Sequence, residues 1–394
     1  MQLDSTAKRL VPIFIAKFLR NLVFWYSIEK LFMATIGYNA ASIGMMAALY
    51  SVVSILTEVP SGILADRWSR KGVLVLAAAS LALSGLTGWA AHDIPTFLIS
   101  AIFWGMFDAF ASGTDTSQLY DTLLEEQGHA RNFKRMLGRY ELTGGIALII
   151  GSVAGGLIAS ATSLRGAFLW SIIPAMLAII FTLLTRETKI HKEEQDTHLF
   201  QHIRQTLNAV FRNKTLTWIL VSILALAVVN NVIGEMYQLW YLAIGAPTSF
   251  YGIAGAIVLS TYGVGGAVTE YFTNRRRVVL AVVVIICADI IATMAHNLFL
   301  LVGAQFVIGF LAFTLGLVLT TEVNHQLPSR YRAGAGSAIN SVSRMIFIPV
   351  SLAFGATAQR LSIFTAAWML VGLTFIALFA QVQAHIRNHF RRSV

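Results

Sequence analysis

The sequence predicts an all-α integral membrane protein, with twelve transmembrane helices in two pseudo-symmetric six-helix bundles. Three observations predict it. Apolar residues make up 56% of the 394 and charged residues 12%, with a mean hydropathy of +0.69, a balance outside that of soluble domains. Strongly apolar stretches of about 20 residues, the length a helix needs to cross a hydrocarbon core about 30 Å thick, recur along nearly the whole chain. The longest polar break, Arg186 to Lys214, falls after the sixth of them.

The expected spans, numbered 1 to 12, are 12–36, 41–63, 72–91, 96–119, 138–161, 166–185, 215–241, 250–272, 278–296, 298–322, 334–357 and 362–384. Lys8 and Arg9 precede span 1, but the apolar run from Leu10 is too long for a signal peptide and lacks a cleavage site, so it reads as a span. In the central break, KIHKEEQD is followed by Leu199, Phe200, Ile203, Leu207, Val210 and Phe211, spaced as on an amphipathic helix lying on the inner membrane surface. The chain thus divides into a bundle at 1–185, a linker at 186–214 and a bundle at 215–394. Sliding it by 204 residues puts Gly266 on Gly62, Glu270 on Asp66 and Arg275 on Lys71, and a shift of 203 puts Asn324 on Asp121. Such internal repetition is how many membrane carriers are built.

With both termini in the cytoplasm, Lys8, Arg9, Arg67, Arg70, Lys71, Arg131, Lys134, Arg135, Arg139, Arg275 to Arg277, Arg330, Arg332 and the tail arginines all lie inside, and almost only Lys30, Arg165 and Arg360 lie outside. This inside bias sets the orientation and accounts for the net charge of +10 without a nucleic-acid partner. The single cysteine, Cys287, excludes an intramolecular disulfide and a cysteine metal cluster. No HExxH or GxxxxGK sequence is present, so neither zincin chemistry nor ATP hydrolysis is expected, and no cofactor is implied.

Ionisable groups in a membrane interior cost several kcal/mol unless paired, protonated or facing water, so each needs a reason. In span 1, Lys17, Arg20 and Asn21 share a face, while Glu29 points the opposite way on a straight helix and reads as interfacial beside Lys30. Arg20 either lines a pathway or pairs with an acid of its own half. Span 4 carries Asp108 and, two turns on and nearly on the same face, Asp115. Asp108 is the leading candidate proton site, because burial favours the neutral carboxyl until water or a cation arrives. A fixed ion pair with Arg20 or Lys17 is the rival reading, and Asp115 lies nearer the inner surface, where a latch would be. Span 7 carries Asn230, then Asn231, Glu235 and Gln238 at helical spacing, either a wet binding face or a satisfied interhelical network. Span 10 offers Gln305, Thr314, Thr320, Thr321 and Glu322; Asp289 in span 9 is isolated and has no assigned role. Phe24, Trp25, Tyr26, Phe103, Trp104, Phe107, Tyr237, Trp240 and Tyr241 accompany the acids, a mixture that suits an amphiphilic or cationic substrate.

Between spans 2 and 3 stands GILADRWSRKGVL, with Gly62, Leu64, Asp66, Arg67, Arg70, Lys71 and Leu74 in fixed order. This resembles the signature loop of the major facilitator superfamily of secondary transporters, with Ser69 in place of one family glycine. The resemblance implies that spans 1, 4, 7 and 10 line a central cavity and that the loop latches the cytoplasmic face. Asp66 would then meet the start of span 11 near Ala335 and Arg344, and Arg70 would meet Asp121, with Glu58 in the same network. A helix N-terminus favours an anion, and an arginine can hold a carboxylate through two parallel hydrogen bonds. Two departures stand out: Ala101, Ile102 and Phe103 occupy the neighbourhood of a family arginine in span 4, and GSVAGG keeps only part of the span 5 antiporter pattern, with Ser152 for proline.

EVPSGILADR together with SGTDTSQLYDTLL resembles most the bacterial drug and metabolite exporter branch. The expectation is a transporter rather than an enzyme: a monomer in the bacterial inner membrane, working by alternating access and exporting a small amphiphilic or drug-like compound with protons as coupling ion. Proton-symport uptake of a small polar solute is the alternative in the same class, and a receptor or scaffold without transport the alternative outside it.

Overall fold

The computed structural model describes residues 2–127, 132–188, 210–211, 213–272, 274–327 and 329–392, and every regular element among them is helical. In chain order these are α1 (Gln2–Asn21), α2 (Glu29–Thr35), α3 (Ala40–Arg67), α4 (Arg70–Ala90), α5 (Ile94–Ala111), α6 (Thr114–Gln127), α7 (Phe133–Ala161) and α8 (Leu164–Leu184). After the linker follow α9 (Lys214–Met236), α10 (Gln238–Ile244), α11 (Thr248–Val264), α12 (Arg275–Met294), α13 (Leu298–Gln326), α14 (Ser329–Arg360), α15 (Ile363–Ala366) and α16 (Trp368–Arg392). Short 3-10 segments at Tyr26–Ile28 and Gly265–Phe272 complete spans 1 and 8. Among the described residues eleven helices are long and apolar enough to cross a membrane, and α11 is a shorter apolar helix at the place of span 8. All twelve expected spans are therefore occupied by helix. Leu199, Phe200, Ile203 and Leu207 of the amphipathic linker lie outside the described residues.

The helix starts follow from local chemistry. Ser69, Asp93, Ser163, Asn213, Asn274, Asn297 and Ser362 each accept a backbone N–H of the first turn of α4, α5, α8, α9, α12, α13 and α15, and a cap of this kind contributes about 1 kcal/mol. Asp93 and Thr96 form a full capping box, and the Thr96 hydroxyl and backbone N–H hold the Asp93 carboxyl below the usual carboxylate range.

Two compact units result. The first takes in the chain up to Tyr38, Leu49 through α8, and Pro247–Ser260; the second takes in Asn39–Ala48, α9 and α10 up to Ala246, and Thr261 onward. Relative to a division at the linker, the first turns of α3 join the second unit and most of α11 joins the first. Small residues explain these memberships. A Cβ on Gly44 would lie 3.0 Å from the Gly355 Cα and 2.5 Å from the Ser351 carbonyl, inside the second unit. A Cβ on Gly156 would lie 2.7 Å from the Gly252 Cα, inside the first. Each unit thus contains one crossing that only glycine on both helices permits. In the first unit, α4 packs on α5 and α8, and the ring of Phe168 sits against Gly88 where any side chain would stand. In the second, α9 packs on α13, α14 and α16, and α12 on α13 and α16.

Candidate functional site

Three spans that carry the intramembrane polar residues are interrupted, and the interruptions decide where those residues go. Span 1 stops being helical after Asn21 and resumes at Tyr26. A break at this depth must find partners for its backbone groups within the protein. The Phe24 N–H donates to Ser171 Oγ at 2.9 Å, and the neighbouring Ser27 hydroxyl donates to the Ser152 carbonyl at 3.1 Å. Span 5 makes the room: a Cβ on Gly151 would lie 2.8 Å from the Val23 carbonyl oxygen, and one on Gly155 would overlap the Phe24 carbonyl. The GSVAGG glycines therefore admit the broken backbone of span 1 and, through Gly156, the crossing with α11.

Because of this break, the expected straight-helix relation between Arg20 and Glu29 does not hold. Glu29 is enclosed by the protein. It is 2% exposed and Lys30 1%; they form an ion pair, the Tyr50 hydroxyl donates to Glu29 Oε1, and Lys30 Nζ stands 5.4 Å from the Tyr50 ring centroid. The adjacency of Glu29 and Lys30, with a tyrosine at the same depth of span 2, was the available signal for this closed cluster. In the connection that follows α2, burial and then the Glu29 charge push the Tyr38 phenol up; its hydroxyl donates to the Ile94 carbonyl at 3.0 Å.

Span 4 is interrupted at Ser112–Gly113, where Gly113 takes the left-handed conformation with φ +73°. Asp108 and Asp115 are thereby separated instead of sharing one helical face. Asp115, buried, receives Arg20 Nη2 at 2.5 Å and Lys17 Nζ at 3.3 Å; Arg20 also donates to Thr182 at 3.2 Å and to the Tyr140 hydroxyl at 3.3 Å. Lys17 lies 3.5 Å from Glu141 and over the Tyr140 ring. The pairing of Arg20 with an acid of its own half is thus through Asp115, not Asp108. Asp108 is half-buried and accepts the Ser54 hydroxyl at 2.8 Å, and Asn21, also half-buried, donates to the Lys17 carbonyl at 2.9 Å.

Span 7 is interrupted at Tyr237, between α9 and α10. Asn230, Asn231 and Glu235 are half-buried on α9, whereas Gln238 begins α10 and is 2% exposed. Gln305 of span 10 stabilises the break, donating to the Tyr237 carbonyl at 3.3 Å while accepting the Tyr241 hydroxyl. Beside Glu235, Gly234 leaves room for the Tyr262 hydroxyl, which a Cβ would meet at 2.7 Å and to which Asn230 donates at 3.5 Å. Tyr262 and Ser54 were not singled out in the sequence; one follows a small-residue run and the other sits in an apolar span, so neither has a local signal.

At the start of α4, Arg70 pairs with Asp121 and donates to the Ser117 carbonyl at 3.2 Å, and its Nη2 lies 3.7 Å from Asp66. Ser69, in place of the family glycine, caps α4 and donates to Glu187 at 2.5 Å; the Arg70 N–H donates to the other oxygen of Glu187 at 3.0 Å. Lys71 donates to the Leu183 carbonyl at 2.6 Å and so closes the end of α8, not the loop itself. Gly62 and Arg67 are exposed, and Glu58 is half-buried, its carbonyl accepting the Ser61 hydroxyl at 2.8 Å. Arg344, the expected Asp66 partner, is half-buried in the second unit, and the side chains of 330–335 lie outside the described residues. The second unit has its own counterpart, Arg275 to Glu322 at 2.9 Å.

Membrane-length helices broken at polar positions, with glycine crossings and repeated arginine–acid pairs, define a polytopic carrier of the secondary-transporter class. The family model described as Major Facilitator Superfamily matches residues 11–351, and the chain belongs to that family. It is 23% identical over 379 residues to an uncharacterized MFS-type transporter, YxaM, of Bacillus subtilis (strain 168), covering 90% of this chain and 91% of the relative. It is 23% identical over 349 residues to an uncharacterized transporter, BU466, of Buchnera aphidicola subsp. Acyrthosiphon pisum, covering 85% of each. Among solved structures, the nucleoside transporter NupG has a TM-score of 0.75 at 16% identity, with 95% of this chain and 98% of that chain covered. A D-xylose-proton symporter has a TM-score of 0.71 at 16% identity, with 95% and 97% covered. The protein is a multi-pass membrane transporter of the major facilitator fold, and its substrate is a small molecule.

Proposed function

We propose that this transporter exports a small amphiphilic or cationic compound in exchange for protons, by alternating access. The observation that carries the reading is how intramembrane charge is sorted. Arg20 and Lys17 are balanced by Asp115 and Glu141, and Glu29 is closed against Lys30 and Tyr50. Asp108 in the first unit and Glu235 in the second are instead half-buried, as are the amides Asn21 in the first and Asn230 and Asn231 in the second. A carboxyl that meets water can exchange a proton or hold a cation, which a locked ion pair cannot do. Trp104 and Tyr26, half-buried in the first unit with ring centroids 5.6 Å apart and planes inclined at 38°, offer ring faces to a cationic or flat apolar substrate. The halves 1–185 and 215–394, joined by 186–214, are the moving parts of this proposal; both termini are cytoplasmic and the protein is a monomer of the cell membrane. Arg70–Asp121 and Arg275–Glu322 act as paired cytoplasmic latches.

Uptake by proton symport is the second reading. The amides of α9 and the Tyr262 hydroxyl offer donors and acceptors to a polar solute, and the nucleoside and D-xylose-proton carriers that share the fold are named for polar cargo. A substrate screen in proteoliposomes with a pH-sensitive dye separates the two: export predicts substrate moving against an inward proton gradient, symport predicts accumulation with it. A receptor or scaffold predicts no substrate-dependent proton movement.

A further inference from the structure

Asp289 lies on α12 with 0% exposure. Thr374 of α16 donates to its Oδ2 at 2.7 Å, and Oδ1 has no hydrogen-bond partner among the described residues. Among the described residues no cation pairs with it. On α12 itself the nearest basic side chain, Arg277, is twelve residues away, about 18 Å along the axis. Among the described side chains of the elements packed against α12, the ionisable groups are Glu270 and Tyr271 in the 3-10 segment, Glu322 and His325 near the opposite end of α13, and His385 and Arg387 near the far end of α16. His296, in the turn beyond α12, is exposed and stacks on Phe364. An ionised carboxylate held by one hydroxyl in such surroundings is far costlier than a neutral carboxyl with one bare acceptor oxygen.

We propose that Asp289 is a proton-binding site in the seam between spans 9 and 12, separate from Asp108 and Glu235, with the Thr374 hydroxyl as its hydrogen-bond partner. Its ligand is the proton. The O–H forms on Oδ2 and donates to Thr374 Oγ1; that hydroxyl turns to donate to its own helix backbone, as threonine in a helix commonly does. Release leaves the carboxylate accepting from Thr374, the geometry observed, and the proton passes to water.

An access row runs down α16. Thr374, Gln381 and His385 are seven and eleven residues apart from the first, within about 40° of one another around the helix. Gln381 is fully buried, and neither atom of its amide has a hydrogen-bond partner among the described residues. The unpartnered amide of Gln381, on the face that also carries Thr374 and His385, is a station for a water-borne proton on its way from the His385 end to Asp289.

The test is infrared spectroscopy of the purified protein in lipid vesicles between about pH 6 and 8, around the unperturbed histidine range. The protonated-carboxyl C=O band of wild type is expected to lose one component in Asp289→Asn. The same component is expected to move to higher frequency in Thr374→Val, which keeps the shape and removes the hydrogen bond. Spectra of Asp289→Asn and wild type that coincide in this band throughout the range would show an ionised Asp289 and overturn the proposal. If Asp289→Asn does not fold, Thr374→Val decides alone: a shifted component supports the site, an unshifted one contradicts it. Gln381→Leu is expected to slow the band's response to a pH jump at least several-fold, and an unchanged response would remove the access row.

Discussion

Arg20 and Asp115 form a buried ion pair with further partners, whereas Asp108 is half-buried and accepts the Ser54 hydroxyl, and the two arrangements respond differently to substitution. Removing one member of a closed pair leaves an uncompensated charge, which costs about 3–5 kcal/mol, while replacing both with apolar residues is often near neutral. Lys17, 3.3 Å from Asp115, keeps part of the compensation, so Arg20→Met is expected to lower thermal stability in detergent by less than that full cost, and Arg20→Met with Asp115→Leu to recover part of the loss. Equal destabilisation by the single and the double variant would contradict the closed-pair assignment. Asp108→Asn keeps its shape and its acceptor for Ser54, so it is expected to change stability by less than about 0.5 kcal/mol. Any effect it has on proton movement is then an effect on function and not on folding.

The breaks in spans 1, 4 and 7 belong to the scale of elements. Gly155 admits the Phe24 carbonyl, and a Cβ there has no space. Gly155→Val is expected to destabilise the protein by about 1–3 kcal/mol, as overpacking does, whereas Gly62→Ala, with nothing within 4 Å of its Cβ position, is expected to be silent. Comparable thermal stabilities for the two variants would remove the role assigned to span 5. The Asp93 cap supplies a pH dependence. Its carboxyl titrates below the usual range when folded, so its contribution is full above that range and is lost as the pH falls through the folded value. Asp93→Ala should therefore lower the melting temperature at neutral pH, with a gap to wild type that closes in acid; a gap independent of pH would contradict the cap.

All twelve spans were legible because apolar runs of membrane length need no partner to be recognised. The breaks were legible unequally. Ser112–Gly113 is a turn dipeptide inside a long run, but Asn21 to Ile28 contains neither glycine nor proline, and its break is held by Ser171, Gly151 and Gly155 from other spans. Sequence spacing on an assumed straight helix consequently gave no sign that Glu29 is buried with Lys30 and Tyr50. The Arg70–Asp121 contact could be named only through family resemblance, since spans 3 and 4 are joined by nothing local at that point.

At the scale of the whole molecule, the repeat seen faintly in the sequence returns as chemistry: Arg70 with Asp121 in one unit and Arg275 with Glu322 in the other, Gly156 with Gly252 in one and Gly44 with Gly355 in the other. As latches, the arginine–acid pairs should tolerate exchange better than loss. Arg70→Asp or Asp121→Arg alone is expected to abolish transport, and the two together to restore part of it; a double variant no better than either single one would mark the pair as packing alone. The central claim is that a half-buried carboxyl in the first unit carries the coupling proton. Substrate-driven proton movement in proteoliposomes, wild type against Asp108→Asn, tests it most directly. The expected result is a dye signal with wild type that is lost in the variant while the variant remains folded; an undiminished signal in Asp108→Asn would contradict the account.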